Sequence, residues 1–70
     1  MQFIKASIIT IGDELLIGQV IDTNSAYIAQ SLNKIGVTVS NRIAVGDDKN
    51  AILDALSNTS KQSNIVIITG

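Results

Sequence analysis

The sequence predicts an α/β fold with a parallel sheet in a β-α-β-α-β order, and three observations carry that prediction. Two nearly continuous apolar runs, Phe3–Ile11 and Ile65–Ile68, have the composition of strands covered on both faces. Two segments with helical spacing, each opening on an Asp and each following a Gly-containing acidic stretch, separate the strands. Right-handed crossovers from one central strand then place the strands in spatial order 2-1-3. The 70 residues make one domain at most.

The first strand, Phe3–Ile11, is apolar at Phe3, Ile4, Ala6, Ile8, Ile9 and Ile11. Gly12–Ile21 follows and reads as a loop that is long by the standard of βα connections, where about two to six residues are usual. Asp22 or Thr23 caps the next helix, in which Tyr27, Ile28, Leu32 and Ile35 recur at helical spacing until Gly36 stops it. The second strand, Val37–Val45, alternates Val37, Val39, Ile43 and Val45 with polar or small residues, and Asn41 interrupts its apolar face. One covered and one wet face suit a strand at the sheet edge. Gly46-Asp47-Asp48 mirrors the first acidic stretch. Lys49–Ser60 is the second helix, with Ile52, Leu53 and Leu56 expected toward the sheet, and a polar turn leads to the third strand. Thr69-Gly70 begins a third loop.

Composition narrows the function classes. A net charge of −1 gives no electrostatic reason to expect nucleic acid or an anionic membrane as partner. No apolar run approaches the roughly 20 residues of a membrane span, and the N-terminus lacks a signal-peptide pattern, so a cytoplasmic protein is expected. The absence of Cys and His excludes disulfides and the usual zinc and haem ligand sets. Five of the six acids, Asp13, Glu14, Asp22, Asp47 and Asp48, fall after strands one and two or at helix starts. All of these positions lie at one end of a parallel sheet, where α/β proteins bind ligands. Converging carboxylates suit a hard divalent ion and, through it, phosphate oxygens. The structural alternative is that Asp22, Asp47 and Asp48 are helix caps and that Asp13-Glu14 is a solvated turn. There is no Lys-Ser/Thr after the glycines to make a P-loop, and no Gly-x-Gly-x-x-Gly.

Ile-Gly-Asp-Glu-Leu-Leu-Ile-Gly at 11–18, Asp-Thr-Asn at 22–24, Gly36, Val-Gly-Asp-Asp at 45–48 and Ile-Ile-Thr-Gly at 67–70 resemble the molybdopterin-binding-type domain, and most of all that of the CinA family. The first strand starting directly after Met1 favours CinA over molybdenumtransferases of similar fold. The resemblance implies a three-layer α/β/α domain, of which residues 1–70 would be the front part. A phosphate-side loop would follow Gly70. It also implies a site of Gly12, Asp13, Glu14, Asp22, Asn24 and Gly70 toward a phosphate-containing small molecule, either ADP-ribose or molybdopterin. A divalent ion (Mg, Mn or Co) is expected at Asp13, Glu14 and Asp47, with Asp47 catalytic. The implied activity is metal-dependent ADP-ribose pyrophosphatase, the alternatives being a molybdopterin-binding module without hydrolysis and an inactive piece that only self-associates. An open third strand, apolar on both faces, leads us to expect a homo-oligomer.

Overall fold

In the computed structural model residues 3–70 are described; the start at Met1 that weighed in the resemblance lies outside them. The chain runs β1 (Ile4–Ile11), α1 (Asp13–Leu16), α2 (Thr23–Lys34), β2 (Val37–Val45), α3 (Lys49–Gln62) and β3 (Ile65–Thr69). The three strands are parallel and ordered β2-β1-β3, as the two crossovers require.

β1 is the central strand, and pleating sends its successive side chains to opposite faces. Ile9 meets α3, in a cluster with Val45 and Ala55 backed by Ile11, Ile43, Ile52, Leu56 and Val66. Thr10 points the other way, to the start of α2. Ile8 and Ile9 are both fully buried, so the continuous apolar run marks a strand covered on two faces. The layers are therefore α2, sheet and α3. β3 shows no partner strand on its outer edge among the described residues, and Ile65 and Ile68 are exposed there.

Local chemistry differs from the sequence reading at four points. The stretch expected to be a loop from Gly12 contains a one-turn helix, α1, with Asp13 and Glu14 in its first turn. Acids there face the positive end of the helix dipole, and Gly18 at φ +82° ends the turn. Asn41 does not simply break the face of β2: the register shifts between Ala6 and Ser7, so that Val39 pairs with Ala6 and Asn41 with Ser7. Ser40 is the extra residue of this bulge, and its hydroxyl donates to the Ala6 carbonyl. α3 runs to Gln62, two residues past the expected end, because Thr59 is buried and bonds back to the Ala55 carbonyl, so the polar composition there does not mark a turn. Leu53, Tyr27 and Ile35 lie off the buried stripes and are exposed.

Both long helices are capped by the acids that the sequence offered. The Asp22 carboxylate accepts from the Ser25 N–H at 3.0 Å, and Asp48 from that of Ala51 at 2.9 Å. Gly36 closes α2 at φ +87°, where a Cβ finds open space but the backbone is strained. Gly36→Ala should therefore cost about 1 kcal/mol, read as a lower urea midpoint at unchanged slope.

Candidate functional site at the carboxyl end of the sheet

Where the three strands end, their following residues enclose an open cleft of about 430 Å³ lined by Ile11, Gly12, Asp13, Glu14, Asp47 and Gly70. The cleft lies beyond the carboxyl ends of the strands, with residues that follow β1, β2 and β3 in its lining, the usual ligand position in an open α/β sheet.

Backbone geometry joins the loops. The Gly12 N–H donates to the Val45 carbonyl at 2.9 Å, tying the end of β1 to the end of β2. Asp13 Oδ1 accepts from the Asp47 N–H at 3.1 Å, so the first acid of α1 also holds the β2–α3 loop. The fit depends on missing side chains. A Cβ on Gly46 would stand 2.7 Å from Asp13 Oδ1, and one on Gly12 would stand 2.7 Å from Glu14 Oε1. Gly70 packs against Ile11, where a Cβ would lie 3.2 Å from the carbonyl oxygen.

Five of the expected site residues, Gly12, Asp13, Glu14, Asp47 and Gly70, thus share one cleft; Asp22 and Asn24 are not in its lining. Asp22 turns toward the α2 face of the sheet instead. Its Oδ2 accepts from the Thr10 hydroxyl at 2.8 Å and the Ser25 hydroxyl at 2.6 Å. Asn24 is exposed in the first turn of α2. Asp48 is occupied as the α3 cap. Among the described residues no three acidic side chains are grouped closely enough to hold a metal ion by themselves. The sequence reading missed Ile11 as a wall of the cleft, and it missed Thr10, Ser25 and Arg42 in the network around Asp22. Thr10 carried a signal, as the one polar residue next to the acidic motif on a strand otherwise apolar there.

Partial burial pushes the Asp22 carboxyl upward, but bonds from Ser25 and Thr10 and the charge of Arg42 outweigh it and hold the group below its ordinary 3.8. A depressed folded value stabilises the fold above the unfolded value, and that stabilisation is lost as pH falls through the folded one. The melting difference between the wild type and Asp22→Asn should thus stay constant from pH 7 down to about 4 and shrink below it.

Residues 7–70 match the family described as "Probable molybdopterin binding domain". The chain belongs to this family. Within it, a CinA-like protein of Flavobacterium psychrophilum is 54% identical over 94% of the chain, and one of Cytophaga hutchinsonii is 48% identical over 96%. The chain spans 16% of the length of each of these relatives. The crystal structure of the protein CinA from Thermoplasma acidophilum superposes on 97% of the chain with a TM-score of 0.93 and 34% identity, and 40% of that protein is covered. The fold is therefore that of a CinA-type molybdopterin-binding-like domain, in agreement with the 2-1-3 sheet. Among the described residues no helix is long and apolar enough to cross a membrane.

Proposed function

We propose that this chain is the front part of a CinA-type domain whose cleft takes the pyrophosphate group of a nucleotide, and that the full-length protein hydrolyses ADP-ribose with a divalent cation. One observation carries this reading: Gly12, Asp13, Glu14, Asp47 and Gly70, drawn from the ends of three parallel strands, line a single cleft. The lining has three acids and no base, so a bare phosphate would be repelled from it. A cation of the magnesium type fits this donor set, because it is commonly held by one or two carboxylates and completes its shell with water and substrate phosphate. One or two of the three acids Asp13, Glu14 and Asp47 would hold it, with water and substrate completing its shell, and it would offset charge on the phosphoanhydride. In the hydrolysis a water oxygen bonds to one phosphorus while the bridging oxygen leaves on the other phosphate, giving AMP and ribose 5-phosphate. Asp47, held at the backbone by Asp13, is the residue we assign to orienting that water.

A second reading is supported by the family description itself: the cleft holds a molybdopterin phosphate without hydrolysis. AMP release from ADP-ribose by the full-length protein, stimulated by Mg²⁺, Mn²⁺ or Co²⁺, is the result expected of the enzyme. Saturable molybdopterin binding without turnover would favour the module, and the absence of both AMP release and molybdopterin binding would overturn both readings.

A further inference from the structure

We infer that Asp22 is a positioning residue, acting on the cleft through Thr10, Ser25 and Arg42 rather than by touching the ligand. The inference rests on the reading of the cleft as the ligand site. Asp22 stands outside the lining, yet its carboxylate ties the strand that ends at the cleft, β1, to the start of α2. Thr10, two residues before Gly12, donates its hydroxyl to Oδ2 at 2.8 Å. Ser25 gives its backbone N–H to Oδ1 and its hydroxyl to Oδ2. The same Ser25 hydroxyl oxygen accepts from Nε and Nη2 of Arg42 at 3.2 and 2.9 Å, and Arg42 lies on β2 four residues before Gly46. One carboxylate thus connects the end of β1, the start of α2 and the last half of β2.

An ordinary N-cap uses only the bond from the Ser25 N–H. The two hydroxyl bonds go beyond capping, and both hydroxyls belong to buried side chains, with Thr10 3% and Ser25 1% exposed. Buried hydroxyls need partners, and here they share one charged acceptor, which fixes its direction. The elements so fixed are those that carry the Gly12 N–H bond to Val45 and the Asp47 N–H bond to Asp13. Strain or slack in the strut therefore appears first at these two amides.

The test uses two substitutions in the full chain. Thr10→Val keeps the volume of a side chain that never reaches the cleft and removes only its hydroxyl. Asp22→Ser keeps a capping oxygen but cannot span to Thr10. Amide hydrogen exchange is measured for Gly12 and Asp47 and, as reference, for the amides of β3. We expect both variants to speed exchange at Gly12 and Asp47 by at least about tenfold more than in β3, because local opening is separable from global loss of stability. Titration with inorganic pyrophosphate in MgCl₂ should show equal weakening in each variant and no further weakening in the double variant. A uniform rise at all amides, or none at Gly12 and Asp47, would overturn the proposal. So would weakened pyrophosphate binding in Asp22→Ser with wild-type binding in Thr10→Val, the pattern of a direct ligand contact. If the wild type does not bind pyrophosphate, the functional reading of the cleft fails, and the exchange measurement still decides the strut.

Discussion

Gly46→Ala should lower metal-dependent ADP-ribose turnover by about a hundredfold while leaving the fold in place. A Cβ at this position would lie 2.7 Å from Asp13 Oδ1, closer than atoms tolerate, so the carboxylate has to swing away. Its bond to the Asp47 N–H at 3.1 Å is then lost, and the β1 and β2 loops part where the cleft is built. Displacing a reacting constellation by about 1 Å is enough to cost on the order of a hundredfold in rate. Gly46 has no left-handed backbone to strain and is partly exposed, so the melting temperature should change little. Gly12→Ala meets only the end of the flexible Glu14 side chain, which can move aside, and should have a smaller effect. Steady-state kinetics with circular dichroism on both variants checks the ranking; a fully active Gly46→Ala protein would separate Asp13 from the chemistry.

Ile9→Ala carries the largest expected effect on stability. The side chain is fully buried and central to the α3 face, among Val45, Ala55 and their neighbours Ile43, Ile52, Leu56 and Val66. Truncations of this kind cost about 2–5 kcal/mol, transfer and cavity terms together. At about 0.05–0.15 kcal/mol per residue, the whole stability of a chain of this length is roughly 4–10 kcal/mol. The variant should thus lose about half of its stability and melt well below the wild type. Leu53→Ala, on the same face-forming helix but with half its surface exposed, should lose less than about 1 kcal/mol. Urea denaturation of the pair measures the contrast, and similar losses at the two positions would contradict the assignment of the core.

The contrast between Ile9 and Leu53 shows what was legible in the sequence. The continuous apolar run of β1 does mark a doubly covered strand, and with right-handed crossovers its central place and the 2-1-3 order could be read. The equally apolar run of β3, by contrast, leaves Ile65 and Ile68 exposed. Helical spacing defines a stripe about 100° wide, and Leu53, Tyr27 and Ile35 fall at or beyond its margin. α1 escaped because four residues are too few to show a period, although acids in a first turn and Gly18 after it were the available signals. The bulge at Ser40 escaped because an inserted residue looks like any polar interruption until the partner strand fixes the register. Five of the expected site residues converge because loop position after a parallel strand dictates the end of the sheet. Asp22 obeys the same rule, but three hydroxyl and amide donors turn its carboxylate to the α2 face. Arg42 reaches that network across 17 positions of chain, a pairing that no local pattern announces.

The most direct test of the cleft as a metal-and-pyrophosphate site is a calorimetric titration of ADP-ribose into the full-length protein with and without Mg²⁺. The wild type, Asp13→Asn and Asp47→Asn are compared. Saturable binding that requires Mg²⁺ and weakens at least about tenfold in each variant, a difference of about 1.4 kcal/mol, is the predicted result. Binding to both variants that is as tight as to the wild type would contradict it and leave Asp13 as the loop tie seen in the fold and Asp47 without a ligand role.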